Sequence, residues 1–538
     1  KKFVAYGRRL GMKMAPDFRG FLGQVPKEFY EAYRDKARFI EIRWAGFDPP
    51  GKFIHPADPL YRELWKAYLE EYVKRYGTDH LYAAQTYSEK EPGRTPEAQK
   101  EIDIAHAKKA VEAVKSVDPQ GVIFTQSWTW LNRKLWPKEN VKAFLDAFPE
   151  GDVMVWELWN DNAGGHPMYK EMDYYFGKPW LMGFLYSYGG QTNLHGDLAG
   201  LVKRVREVAT EPKAKKCLGI AVQPEAMHHN HVFFDILSRL GWNPMGVELG
   251  SFLEEYAFRR YGKESAPKMV RFLKELAASV YGSDDTYPSL YHLRIYEIRA
   301  PPPPSGLQSI WKGAYGVSLS QRSKFIPHLQ RALEIALEEA GRLGECPLFQ
   351  HDLIDVGRQF LADLFNLRLA WLYEAFKSGD KKTFGKEAHI LDEVLQSLEM
   401  LLSSNDYFCL QPILDKAMAL PDVPKDFDQR VRDILTIWDG KILDYARRDY
   451  YELVRFYYRK RVNAFINYLE EKIAKGSNEI RDDELSPLYH EIEQSWVRKP
   501  FRVKKSEKYA GTTAEAAEEI IKKHGLTKEE LRTIKVLK

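Results

Sequence analysis

The sequence predicts an α/β (β/α)8 TIM-like barrel, one strand short of eight, followed by an all-α C-terminal domain. Three observations predict it. The first half alternates short apolar, β-rich runs with amphipathic helical stretches, the pattern of a parallel sheet with helices outside. About seven such units fall within roughly 240 residues, which suits a barrel better than a shorter doubly wound sheet. From Ser251 onward the strand signal stops and long helical periodicity replaces it. A chain of 538 residues is also longer than one core usually holds, so two domains are expected, residues 1–250 and 251–538.

In chain order, the candidate strands are Met12–Phe18, Phe39–Trp44, Leu81–Tyr87, Val122–Trp128, Val153–Trp159, Trp180–Tyr188 and Cys217–Val222. Helix-like stretches between them are Leu60–Arg75, Pro96–Ser116, Lys138–Ala147 and Leu198–Ala209. The second half reads as helices over Phe252–Tyr261, Ala266–Val280, Pro327–Arg342, Leu353–Ser378, Lys382–Ser403, Asp426–Thr436, Lys441–Leu469 and Ser486–Trp496. The polyproline stretch Pro301–Pro304 and the segment Pro421–Pro424 break the pattern and read as loops. The tail Thr512–Lys538 carries a helical Ala-Glu run and a basic end.

Composition narrows the function classes. With 80 basic and 76 acidic residues the charge is nearly balanced, so no field for nucleic acid is implied, and the run Arg498–Lys505 reads as solvated surface. No apolar run reaches the roughly 20 residues of a membrane span. The three cysteines, Cys217, Cys346 and Cys409, are far apart and imply neither a disulfide framework nor a CxxC metal site. The sequence opens Lys-Lys-Phe-Val, with neither an initiator Met nor a signal peptide, and is expected to be a fragment or processed product. Aromatic residues at 13% suit a large core and equally suit pyranose rings, whose C–H faces stack on indole and phenol.

A barrel places its chemistry where strands end and loops begin. Those places here read Trp44-Ala45-Gly46, Thr86-Tyr87-Ser88-Glu89, Ser127-Trp128-Thr129-Trp130, Glu157-Leu158-Trp159-Asn160-Asp161, Ser187-Tyr188-Gly189-Gly190 and Gln223-Pro224-Glu225. Glycoside hydrolysis needs one carboxylic acid to protonate the leaving oxygen and a second carboxylate to attack or stabilise the oxocarbenium-like centre. Glu89 and Glu225 stand where such a pair would stand, although either alone reads more readily as an ordinary surface or N-cap carboxylate. Glu157, with Asp161 nearby, is a third strand-end acid, able to bond sugar hydroxyls, orient a partner or serve the fold. His228, His229 and His231 crowd together after Glu225 without the HExxH spacing of a zinc site, so no metal and no cofactor are expected.

In order along nearly the whole chain, several segments resemble the alpha-N-acetylglucosaminidases of glycoside hydrolase family 89. They are Gly11-Met12 with Phe21–Pro26, Tyr76–Tyr82, Thr86–Glu89, Tyr186–Gly190, Pro224-Glu225, Leu240–Trp242, Arg259–Gly262, Ile437–Gly440 and Ile442–Ala446. The resemblance implies Glu89 as general acid/base and Glu225 as nucleophile of a retaining enzyme, their carboxyl groups about 5–5.5 Å apart. It implies a sugar pocket with Trp44, Ser88, Trp128, Tyr188, Trp438 and Tyr445, the last two from a helical segment reaching over the barrel mouth. A glycan or glycoside is the implied partner and a lysosomal or secreted setting the implied compartment; oligomeric state is left open. Family members carry a small N-terminal domain that this sequence is expected to lack, and place Asn where Ser88 stands. That departure keeps two alternatives in view, a retaining glycosidase for a different sugar and a catalytically impaired sugar-binding homologue.

Overall fold

The computed structural model describes residues 1–15, 22–85, 87, 89, 92–158, 160, 167–282, 294–299, 323–527 and 529–530. The chain forms two compact units, Lys1–Leu185 with Val205–Gln223, and Tyr186–Arg204 with Pro224–Lys538.

The first unit is built on a parallel sheet of five strands in sequence order: β4 (Leu81–Ala83), β5 (Val122–Gln126), β6 (Val153–Trp156), β7 (Trp180–Phe184) and β8 (Cys217–Val222). Parallel neighbours need crossovers, and helices supply them. Helix Pro96–Val117 links β4 to β5, and Lys138–Asp146 links β5 to β6. The first begins where the Thr95 hydroxyl accepts the Ala98 amide at 3.3 Å, with Pro96 in the first turn, a cap contributing about 1 kcal/mol. It buries Ile102, His106, Ala110, Ala113 and Val114 at spacings of three and four. Helix Pro59–Tyr76 starts on an Asp58 cap at 2.9 Å and buries Tyr61, Trp65 and Leu69, each four residues from the last. Val153, Val155, Trp180 and Phe184 are fully buried, as expected of strands covered on both faces.

Two expectations for the N-terminal part are corrected. Phe39–Trp44, expected as a barrel strand, is a strand only over β2 (Phe39–Ile42). It pairs antiparallel with β3 (Gly51–Ile54) in a separate three-stranded sheet completed by β1 (Gln24–Val25). Its half-buried pattern, with only Ile42 fully inside, suits an antiparallel sheet better than a barrel wall. Of Met12–Phe18, residues 12–15 form no strand and the rest lie outside the described residues.

The second unit is helical. Pro347–Ser378 and Lys381–Ser403 form its central antiparallel pair, packed with Ile326–Leu337 and Thr513–His524. Pro347–Ser378 is buried on nearly every side, including Phe360, Leu361, Leu364, Phe365 and Leu369. The helices predicted over Phe252–Tyr261, Ala266–Val280 and Ser486–Trp496 are present within a turn or so of those bounds. Lys441–Leu469 is corrected: helix begins only at Tyr451, contains a π-turn at Val454–Tyr458, and continues over Arg459–Ala474. Residues 437–446 instead form turns and 447–450 an irregular stretch, because Asp444 takes a left-handed backbone (φ +57) and sends its carboxylate inward to Arg461 Nη1 and the Arg299 amide, both at 3.0 Å. Pro301–Pro304 lies outside the described residues.

Candidate active site

One exposed carboxylate stands just beyond a strand end of the first unit. Tyr87 is fully buried against Ile42, Phe53 and Ile102, which anchors the chain just beyond β4. Two residues on, Glu89 turns outward with φ +57, a conformation that costs a non-glycine residue roughly 1 kcal/mol or more. Its carboxylate is held from two sides. Trp44 Nε1 donates to Oε2 at 3.0 Å, and Trp128 Nε1 donates to Oε1 at 2.8 Å. Trp44 comes from the loop after β2, where its indole stacks on Phe47 at 5.6 Å between ring centroids. Trp128 begins the 3-10 turn that follows β5. The two indoles, expected from the resemblance as sugar-facing rings, here fix a glutamate through their N–H edges, a role that residue type and strand position do not reveal.

Glu157, at the end of β6, is fully buried and accepts from Asn160 Nδ2 at 2.7 Å and the Tyr169 amide at 2.9 Å. Burial pushes its carboxyl up to about 8 despite those two donors. Its burial keeps it from solvent and from direct contact with a glycan. Asp161 and Ser88 lie outside the described residues, as does the side chain of Tyr188.

The second unit holds the other carboxylate. Tyr186 is clamped between His195 and Phe233, with ring centroids 4.1 and 4.2 Å away, and its carbonyl accepts the Glu225 amide at 3.0 Å. That clamp fixes the turn Ser187–Gly190, whose Gly189 and Gly190 have φ of +61 and +74. The Glu225 carboxylate is exposed, and its Oε2 accepts from the Gly189 amide and from the Tyr445 hydroxyl at 2.9 Å. Side chains would not fit in this turn: a Cβ on Gly189 would lie 2.0 Å from the Tyr445 carbonyl oxygen, and one on Gly190 1.7 Å from Arg448 Nη2. Arg448 Nη1 in turn donates to the Gly189 carbonyl. Arg448 was not singled out by sequence, since nothing in its neighbourhood distinguishes it from a surface arginine.

Tyr445 is presented by the turn segment 437–446. Trp438 and Tyr445 lie 6.2 Å apart at 53°. Beneath them Arg461, fully buried, meets Asp444 at 3.0 Å and Glu493 at 3.5 Å, while the equally buried Arg447 meets Glu297 at 3.1 Å and Gln191 at 2.7 Å. Buried pairs of this kind contribute little net energy when intact, but losing one partner costs about 3–5 kcal/mol. They hold a non-helical turn in a helical unit.

Among the described residues one group has the spacing of metal ligands: His231, His351 and Asp352, whose ligand atoms lie within 4.8 Å of one another. Asp352 is already engaged there by Arg260 through two bonds of 2.7 Å and by the Tyr261 hydroxyl at 2.7 Å. A cation would have to displace a guanidinium, so the group reads as an internal ion-pair cluster.

The arrangement therefore presents two exposed glutamates, each oriented by two hydrogen-bond donors. Residues 1–244 match the family description "Alpha-N-acetylglucosaminidase (NAGLU) tim-barrel domain", and residues 252–523 match "Alpha-N-acetylglucosaminidase (NAGLU) C-terminal domain". A human protein named alpha-N-acetylglucosaminidase is 27% identical over 525 residues, covering 95% of this chain and 67% of that protein. The family 89 glycoside hydrolase of Clostridium perfringens in complex with 2-acetamido-1,2-dideoxynojirmycin is 19% identical with a TM-score of 0.80, covering 98% of this chain and 58% of that one. Its complex with GlcNAc-alpha-1,4-galactose, described as its substrate, gives 19% and 0.78, covering 99% and 59%. The chain thus spans somewhat under two thirds of those solved structures. With both of its halves matched in order, the chain belongs to the alpha-N-acetylglucosaminidase family, glycoside hydrolase family 89.

Proposed function

We propose that the protein is an exo-acting retaining glycoside hydrolase that releases terminal α-linked N-acetylglucosamine from glycans, with Glu225 as nucleophile and Glu89 as general acid/base. The observation that carries this is the fixing of each exposed glutamate by two donors, Trp44 and Trp128 on one and Gly189 and Tyr445 on the other, in a chain of this family. We place the catalytic domain in residues 1–250. Residues 251–538 form the helical domain, which lends Trp438 and Tyr445 to the rim. To Trp44, Ser88, Trp128 and Tyr188 we assign sugar-binding roles on the strength of the family resemblance. Among the described residues no helix is long and apolar enough to cross a membrane.

Stereochemistry favours a protein nucleophile. In an α-linked N-acetylglucosaminide the 2-acetamido group lies on the same face as the leaving group, so it cannot attack from behind. Glu225 takes that part: its carboxylate bonds to the anomeric carbon as the glycosidic bond breaks, and Glu89 delivers its proton to the departing oxygen. Glu89, now a carboxylate, removes a proton from water as that water attacks the anomeric carbon and frees Glu225. Two inversions return the α configuration. The Gly189 amide and the Tyr445 hydroxyl hold one oxygen of Glu225 and leave the other to react.

The test is a chromogenic α-N-acetylglucosaminide with purified, folded protein, and the anomer released followed by NMR. Turnover with α-anomer formed first is expected; no turnover, or β-anomer formed first, overturns the proposal.

A further inference from the structure

The helical unit contains a cavity of about 500 Å3, within the range of small-molecule sites. Its walls are the rings of Tyr407, Phe408 and Tyr450, with Pro412 and Ile413 at their side. Tyr407 and Ile413 are 54% and 43% exposed, so the cavity opens to solvent along an apolar lip.

The charges that line it do not cancel. Its two acids are spent within the protein: Asp406 binds Lys508 at 2.6 Å, and Asp449 binds Arg294 and the Tyr296 hydroxyl. Arg358 is likewise spent on Asp355 and lies over the Phe408 ring at 5.3 Å. Two cations remain. Arg448 donates only to carbonyl oxygens, those of Gly189, Ala446 and Arg447, and meets no carboxylate among the described residues. Lys416, exposed at the rim, has no ion-pair partner among the described residues either. His228 also lines the cavity, and its Nε2 is buried without a hydrogen-bond partner. Burial pulls that imidazole down to about 4, so it stays neutral and offers a polar contact without adding charge.

The guanidinium is also fixed in advance. The missing Cβ of Gly190 makes room for it, and the Tyr458 hydroxyl, from the π-turn, bonds both the amide and the carbonyl of Arg448 at 3.2 Å. A guanidinium bonded to carbonyl oxygens and to no carboxylate, beside a buried imidazole nitrogen without a partner and three aromatic walls, is a setting that an anionic ring compound would complement.

We propose that this cavity binds a small ring-bearing carboxylate, its anion on Arg448 and its ring between Tyr407 and Tyr450, with Lys416 at the entrance. Nη1 being engaged by carbonyls, a carboxylate would meet the remaining donors of the guanidinium, a charge-assisted contact. The apolar walls favour a single ring over an extended chain. Two sources share this chemistry, an aryl acid and a sugar acid. The test is independent of the glycosidase proposal because binding is read without turnover, although Arg448 also bonds the Gly189 carbonyl in the turn beside Glu225.

The experiment is isothermal titration calorimetry of the full chain with benzoate and with glucuronate, each against its neutral counterpart, benzamide and glucose. At least one acid is expected to bind at least tenfold more tightly than its counterpart, and the acid that does so identifies the source. Arg448→Gln should weaken it by a further factor of ten or more, in line with a lost charged hydrogen bond of about 1.5 kcal/mol or more. Should that variant fail to fold, Lys416→Ala on the exposed rim decides, with a loss of about threefold expected and raised salt weakening the wild type in parallel. No binding of either acid at 10 mM, equal binding of acid and neutral probe, or unchanged affinity in the folded variants overturns the proposal.

Discussion

Removing the hydroxyl of Tyr445 tests the Glu225 site at one atom. Tyr445→Phe deletes the 2.9 Å bond to Glu225 Oε2 and leaves the ring beside Trp438. The Gly189 amide continues to hold the same oxygen. A hydrogen bond to a charged group is worth about 1.5–3 kcal/mol, and Glu225 is exposed, which places the loss near the lower end. At about 1.4 kcal/mol per tenfold, kcat/KM should fall roughly ten- to thirtyfold. Folding should scarcely change, because the deleted group is not part of the core and polar surface substitutions usually stay within about 0.5 kcal/mol. The assay pairs kcat/KM on a chromogenic α-N-acetylglucosaminide with a thermal melt of the same sample. A loss under threefold would refute the role of Tyr445 in holding Glu225. So would a loss matched by a lowered melting temperature, because the cause would then be damage to the turn segment.

The remaining predictions test the roles and the frame. Glu225→Ala should abolish turnover, while Glu89→Ala should hurt substrates with poor leaving groups far more than an activated aryl glycoside; equal losses on both would remove Glu89 from the acid role. Gly189→Ala should reduce activity at least a hundredfold, since its Cβ would lie 2.0 Å from a carbonyl oxygen in a turn of positive φ; near-normal rates would show the turn to be adaptable. Glu157 gives a pH dependence. Burial raises its carboxyl from 4.5 to about 8 in the folded protein, so its protonated form is the stabilising one. Its contribution is complete below the unfolded value and is lost as pH rises toward 8, by up to about 1.4 kcal/mol per pH unit. Glu157→Gln should therefore melt progressively higher relative to wild type between pH 5 and 8 and level off above, and parallel curves would contradict it.

How far sequence reaches into such a protein depends on the range of the interaction. β4–β8 were legible because strands covered on both faces must be continuous apolar runs, and Val153–Trp156 and Trp180–Phe184 are such runs. β2 misled because Phe39–Ile42 has the same residue types while its partner, Gly51-Lys52-Phe53-Ile54, carries too little apolar pattern to announce an antiparallel sheet. The turn segment before Tyr451 misled for a different reason. Ile442, Leu443, Tyr445 and Ala446 fall at plausible helical spacing, and only Asp444, by taking Arg461 and the Arg299 amide, bends the chain out of helix. That bond joins residues 145 positions apart, beyond any local periodicity. The candidate site repeats the pattern. Glu89, Glu225, Trp44 and Trp128 could be singled out by residue type and strand position. The donors that orient the acids could not be assigned, because Trp44 reaches Glu89 across 45 residues and Tyr445 reaches Glu225 across 220. Where strained backbone and long-range polar bonds meet, at Glu89 and again at Ser187–Gly190 and Trp438–Asp444, local propensity is overruled by tertiary contacts. A fold tolerates roughly 1–3 kcal/mol of strain at each such residue only when the surrounding structure fixes it in place. Glu89 and Gly189 belong to both sets, one as an acid and one as a donor of the proposed pair, while other left-handed residues, His80, Arg94 and Asp173–Phe176 among them, serve turns elsewhere.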